Sequence, residues 1–170
     1  PLPEIFDRNN NLLVTSVKTK RASIRNPVNP KETARLIKAV LPSWDENRLI
    51  EKLQKRSYIE LADNINDIEH YDILNSGVAE VEFHPVWRRI YTNKELASHI
   101  IGYSGRDLVG LSGIEKTIPK SKLLHKNIKL SIDITVQFHL EGEIKKGIDL
   151  YNADSGFGVI IDVMSGEIIA

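Results

Sequence analysis

Serine is the side chain here most readily made a nucleophile, and it needs a positioned base to become one. No serine is followed three residues later by lysine. Gly102-Tyr103-Ser104-Gly105 and Gly110-Leu111-Ser112-Gly113 both place glycine directly after serine, which breaks the spacing of a nucleophile elbow and reads as a turn. Gly105 to Ser112 nearly has the spacing of a phosphate-binding loop, but Leu111 stands where a lysine must reach the phosphates. The histidines, at 70, 84, 99, 125 and 139, form no helical pair with a glutamate between them, so no metal site is expected. His139 lies near Glu141 and Glu143, which reads as an ion pair on one helix face. Lys18, Lys20, Arg21 and Arg25 could touch phosphate or anionic lipid. They lack the interleaved aromatics of a single-strand reader, and a solvated strand face is the expectation. Carboxylates are plentiful, yet no pair stands out as an acid and base. The expected catalytic, metal and cofactor residues are therefore none.

The elements that would carry these residues are short. Asp7, Asn9, Asn10 and Asn11 between apolar residues predict a hairpin over Ile5 to Thr15, and residues 12 to 24 read as extended. Asn29-Pro30-Lys31-Glu32 joins an N-cap to a proline at the first helical position, with Ala34, Ile37, Val40 and Leu41 following at helical spacing. Pro42 ends that helix, and Ser43-Trp44-Asp45-Glu46 predicts a capping box for a second one bearing Leu49, Ile50 and Leu53. Ser57 to Leu61 predicts a strand. Asn66-Asp67-Ile68-Glu69 predicts a third capped helix, stopped at Gly77. Val78 to Tyr91 alternates as the longest strand, in which Pro85 argues against an uninterrupted central position.

Between Ile100 and Lys126 the glycines predict turns and at most short helices, and Lys129 to Ile132 a strand. Asp133 should cap the longest helix, with Val136, Leu140, Ile144 and Ile148 as its apolar stripe. Gly158 to Val163 and Glu167 to Ala170 predict a hairpin about Ser165-Gly166.

A chain of 170 residues is long enough for one domain, or for a small domain and part of a second. Its 41% hydrophobic and 27% charged residues suit a folded chain, and disorder is not expected over most of it. The 23 basic residues balance 23 acidic ones, so no global charge argues for nucleic acid. Absence of cysteine excludes disulfides and thiolate chemistry. No apolar run is long enough to span a bilayer. The abrupt start at Pro1 and the stop after an apolar run at Ala170 are read as the ends of an excised piece.

The strongest signal is an ordered set of motifs that carry no catalysis. Ile5 to Leu13, with Asp7, Arg8 and Asn9, resembles the first motif in the N-terminal region of class B penicillin-binding proteins. Leu2-Pro3 replaces the usual arginine-glycine, and Asn10 the final glycine. Arg89-Ile90-Tyr91-Thr92 with Ala97-Ser98-His99-Ile100-Ile101-Gly102-Tyr103 resembles the second motif, and Gly110-Leu111-Ser112-Gly113-Ile114-Glu115 the third. Leu130-Ser131-Ile132-Asp133 with Gln137, then Gly158 to Val163 and Ser165 to Ala170, is similar to the lead into that family's transpeptidase domain. The passages after Asn29 and from Gly77 to Arg89 look most like the division-specific, septal branch, with the elongation-specific branch as the alternative.

The resemblance implies an α+β chain: an irregular elongated pedestal of dimerisation type over residues 1–128, then at 129–170 the first helix and hairpin of a truncated transpeptidase domain. It implies a parent enzyme that cross-links peptidoglycan and is acylated by penicillins, with its reactive serine beyond Ala170. It also implies an N-terminal membrane anchor before Pro1 and a place on the extracytoplasmic face of the inner membrane. The implied partners are divisome or elongation membrane proteins, a glycosyltransferase among them, and the parent's own transpeptidase domain, with no nucleic acid. The motif residues taken as structural are Asp7, Arg8, Asn9, Arg89, Tyr91, His99, Gly102, Tyr103, Gly110, Gly113 and Glu115. Arg8, Arg89 and Glu115 are expected to share one knot, with Asp7 and Glu115 as the carboxylates that meet the arginines. A small enzyme with an unrecognised site stays open as the other class of function.

Overall fold

The computed structural model describes residues 1–118 and 126–170. His125 therefore lies outside the described residues, as does part of the stretch expected to hold turns between Ile100 and Lys126. The chain folds as two compact units, residues 1–17 with 88–170 and residues 18–87. Helices and strands are mixed throughout, as an α+β fold.

The unit of residues 18–87 is a small sheet under three helices. β1 (Ile5–Phe6) belongs to the other unit, whereas β2 (Leu12–Arg25) supplies residues to both. Within the 18–87 unit, β2 pairs antiparallel with β3 (Tyr58–Ile65), placing Ile24 opposite Ile59 and Arg25 opposite Tyr58. α1 (Pro30–Val40) begins at Asn29, whose side chain accepts from the Glu32 amide, with proline in the first turn. α2 (Glu46–Lys55) is capped by Asp45, which accepts from the Arg48 amide at 2.8 Å. The cap expected at Ser43 is thus displaced by two residues, because a carboxylate beside the first free amides also meets the positive end of the helix. α3 (Asp67–Asn75) has the full capping box of Asn66 and Glu69, and Gly77 follows it at φ +83°.

The core of this unit gathers Ile24, Ala34, Ile37, Leu49, Leu53, Ile59 and Ile73. Ile37, Leu49 and Ile73 are fully buried, each stabilising the fold by about 1.5–3 kcal/mol. Trp44 closes it by donating its indole N–H to the Leu61 carbonyl at 2.9 Å. β4 (Val81–Tyr91) runs as one strand of 11 residues. Pro85 does not interrupt it, because among the described residues β4 pairs only with β2, and a proline without an N–H is tolerated on an open edge.

In the other unit β1 pairs antiparallel with β2, Ile5 against Val14, and parallel with β5 (Ile128–Lys129). The strand expected to reach Ile132 stops at Lys129. Past that point the Arg8 amide takes the Ile132 carbonyl at 2.9 Å. α4 (Ser98–Ile101) and α5 (Gly113–Thr117) are single turns. The core contains Ile5, Leu13, Val14, Ala97, Ile101 and Ile132.

α6 (Ile134–Tyr151) is the longest helix, and Asp133 caps it by accepting from Thr135 and Val136. Its most buried side chain is Gln137, while Leu140, Ile144 and Ile148 are half-buried. The last three are covered by the backbone of Gly156 and Gly158, where an added Cβ would meet their methyl groups. The final hairpin is reduced to one bridge, Ile161 with Ile168, in place of two full strands. Val163 and Met164 at its turn are each 92% exposed, so no apolar face holds longer strands together. Among the described residues no helix is long and apolar enough to cross a membrane.

Candidate functional site

Among the described residues Arg89 and Glu115 form the most buried ion pair, both within the unit of residues 1–17 and 88–170. The Arg89 side chain is 3% exposed and that of Glu115 0%, and Nε donates to Oε1 at 2.8 Å. Nη1 of Arg89 also donates to Ser16 Oγ at 3.0 Å and reaches the Leu2 carbonyl at 3.5 Å. One arginine thus ties the end of β4 to β2, to the N-terminal segment and to α5. A planar fork of donors suits such a junction, where an ammonium would make fewer oriented bonds. Nη2 of Arg89 and Oε2 of Glu115 have no hydrogen-bond partner among the described residues.

The loop leading to Glu115 leaves no room for side chains at its turns. Gly102 has φ +76°, and a Cβ there would overlap the Ser112 carbonyl; one on Gly110 would overlap the Glu115 carbonyl. Tyr103 donates its amide to Ser112 Oγ at 3.2 Å, and its carbonyl accepts from the Leu111 amide at 2.8 Å. Tyr91 reaches in from β4, its hydroxyl accepting from the Ser104 amide at 2.9 Å. Gly113 opens α5, again at positive φ. Arg89, Tyr91, Gly102, Tyr103, Gly110, Gly113 and Glu115 are therefore brought together. His99 is exposed on α4 and makes no hydrogen bond or ion pair among the described residues.

Arg8 does not join Arg89 and Glu115. Its guanidinium pairs with Glu167 at 3.4 Å, with both side chains substantially exposed. Asp7 meets no arginine either. Its fully buried carboxylate accepts from the amides of Asn9 and Asn11 at 2.8 Å, from Asn11 Nδ2 at 2.8 Å and from the Ile134 amide at 3.3 Å. Backbone donors already present in the tight turn satisfy this carboxylate, so it has no need of a cation. Burial pushes the Asp7 carboxyl up, but these donated hydrogen bonds outweigh it and hold the carboxyl below its ordinary value.

Asn9 donates to Asp133 Oδ2 at 2.7 Å, and Lys129 donates to Asn10 at 2.9 Å. The expected single knot is thus two: an ion pair at Arg89 and a carboxylate-centred turn at Asp7 that grips the start of α6. Ser16, which accepts from Arg89, is not among the expected residues, and Glu141, expected in an ion pair with His139, instead accepts from the Ala97 amide and from Gln137. Nothing in the spacing of a lone serine marks such a long-range contact.

In both knots the polar groups hydrogen-bond one another or nearby backbone amides, and this fixes the course of turns. Among the described residues no cluster could hold a metal ion. An open depression of about 510 Å³ in the unit of residues 18–87 is lined by Pro27, Val28, Leu53, Lys55, Arg56 and Ser57 among others. The basic stretch of β2 is largely neutralised: Arg21 pairs with Glu60 and Asp63, Arg25 with Glu82, and Lys20 with Asp67.

The penicillin-binding protein dimerisation domain matches residues 3–121, and the chain belongs to that family. It is the N-terminal, pedestal-type region of a class B penicillin-binding protein. Among curated proteins it is 27% identical over 173 residues to the probable peptidoglycan D,D-transpeptidase FtsI of Caulobacter vibrioides, covering 98% of this chain and 29% of the relative. To the peptidoglycan D,D-transpeptidase FtsI of Escherichia coli K12 it is 27% identical over 143 residues, covering 68% of this chain and 24% of the relative. The chain spans less than a third of the length of these relatives. In fold it is similar to penicillin-binding protein PBP2 of Helicobacter pylori, solved in complex with MreC, with a TM-score of 0.67, 20% identity, and coverage of 99% of this chain and 40% of that one.

Proposed function

We propose that this chain is the non-catalytic scaffold and protein-interaction module of a membrane-anchored peptidoglycan D,D-transpeptidase, a penicillin target working in septal cell-wall synthesis on the extracytoplasmic face of the inner membrane. The observation that carries this reading is the alignment of nearly the whole chain with part of a relative named as a probable FtsI transpeptidase. Residues 1–128 are the pedestal, and 129–170 the first helix and hairpin of the transpeptidase domain. The anchor and the reactive serine belong to other parts of the parent. Its partners are membrane proteins of the division machinery, including a glycosyltransferase. Likeness in fold to the PBP2 that was solved with MreC favours, as second reading, the same module in an elongation enzyme.

Labelled penicillin incubated with the purified chain should leave its mass unchanged, because no Ser-x-x-Lys pair is available to activate a hydroxyl. Stoichiometric acylation would overturn the non-catalytic reading. A fluorescent fusion of the full-length parent should concentrate at the division site; an even distribution along the lateral wall would select the elongation reading.

A further inference from the structure

α3 is held on one side and bare on the other. Ile73 is fully buried, His70 stacks edge-on against Phe83 at 4.3 Å and accepts from Lys20 Nζ at 2.9 Å, and the Asn66–Glu69 box fixes the first turn. The opposite face carries Ile68, Tyr71 and Leu74, three residues apart on the helix and 75%, 68% and 59% exposed. Large apolar side chains at that spacing make a continuous ridge, and an ordinary solvated helix face would carry polar residues there.

The segment that carries the ridge has one sign, and the cation beside it, Lys20 of β2, lies against Asp67 and His70. Between Asn66 and Glu80 the chain carries Asp67, Glu69, Asp72 and Glu80 and no lysine or arginine, in a molecule whose total charge is balanced. Glu69 closes the capping box, Glu80 accepts from the Val28 amide, and Asp67 lies 3.7 Å from Lys20 while fully exposed. Asp72 is exposed beside Ile68 and Tyr71 and has no ion-pair partner among the described residues.

We propose that the exposed face of α3 is a docking surface for an amphipathic helix of another protein whose apolar stripe is flanked by lysine or arginine. The inference rests on the interaction-module reading and narrows it to one helix. The ridge supplies the apolar contact, and the acidic border selects the charge of the incoming segment and rejects an acidic one. Because α3 is fixed from beneath by His70, Phe83 and Ile73, the surface exists before binding and needs no ordering step.

The test is an isotope-labelled NMR titration of the chain with two synthetic helical peptides. They share one leucine stripe and differ only in its flanking residues, all lysine in one and all glutamate in the other. The lysine peptide should shift amides of residues 67–75 saturably, the glutamate peptide should not, and high salt should weaken binding. Tyr71→Ser should weaken the lysine peptide about tenfold. Asp72→Lys, which leaves the ridge intact, should weaken it several-fold and admit the glutamate peptide. Equal shifts from both peptides, or undiminished binding to a folded Ile68→Ser, Tyr71→Ser, Leu74→Ser variant, would overturn the proposal. So would a concentration-dependent dimer that Tyr71→Ser abolishes, which would assign the face to a second copy of the chain. If partner membrane proteins bind the module and the α3 variants leave that binding unchanged, the α3 assignment falls and the interaction-module reading stands.

Discussion

Glu115 and Asp7 show two ways of burying a carboxylate. Glu115 is matched by Arg89, so removing one partner strands the other charge in a dry site. Glu115→Ala should therefore cost about 3–5 kcal/mol, whereas Glu143→Ala, at an exposed pair with Lys146, should leave the thermal midpoint unchanged. Equal midpoints for the two variants would count against the buried pair as a structural tie. The double change Arg89→Met, Glu115→Leu should recover most of the loss, since two apolar groups leave no charge unpaired. Asp7 depends on backbone donors instead, and its carboxyl sits below its ordinary value, burial being outweighed by the bonds from Asn11, Ile134 and Asn9. A depressed carboxyl contributes stability that is fully present above its unfolded value of about 3.9 and is lost as pH falls through the folded value. Chemical denaturation from pH 6 downwards, over about three units, should show wild type losing more stability in acid than Asp7→Asn. Parallel curves would show that the Asp7 carboxylate contributes nothing to folding.

At the scale of elements, the loop from Gly102 to α5 is shaped by where backbone touches backbone. Gly102→Ala would force a Cβ onto the Ser112 carbonyl at a positive φ, and no flexible side chain is there to yield. That variant should melt well below wild type and weaken the buried pair with it, since the same turn delivers Glu115. Gly142→Ala is the control: Gly142 lies in the middle of α6 with open space where the Cβ would go. Replacing it should stabilise the helix by about 0.5–1 kcal/mol. If both alanines melt alike in calorimetry, steric closeness at Gly102 is not what shapes the loop.

For the whole molecule, the segment after α6 differs from the rest. Phe157, Val163 and Met164 are each more than 90% exposed, and the arms of the hairpin are joined only around the Ile161–Ile168 bridge, by short backbone bonds of Ile160 with Ile169 and Ala170 and of Asp162 with Glu167. Exposed backbone with few cross-strand bonds opens readily, and unpaired strand edges accept further strands. Amide exchange on a strictly monomeric sample should therefore run much faster across residues 158–170 than in the cores around Ile37 and Leu13. Equal protection would contradict the proposed boundary between residues 128 and 129, because the hairpin would then be a finished part of the pedestal. If the proposed transpeptidase strands pair with this hairpin, a longer chain that carries them should exchange more slowly in the same amides.

Short-range features were legible in the sequence because they depend on residues a few positions apart. Asn29 and Asn66 as helix caps, the turn through Asn10, Gly77 as a stop and Asp133 at the head of α6 each follow from local backbone needs. The family was legible as well, from the order of motifs that are individually short. Partnerships across the chain were not. That Arg8 meets Glu167 while Arg89 meets Glu115, and that Gln137 is the most buried residue of α6, depend on which surfaces come together within one folded unit. Alternation and spacing fix the side of an element on which a residue lies. Only packing decides what stands opposite it, because the energy of a buried charge or a close glycine contact comes from atoms far away along the chain.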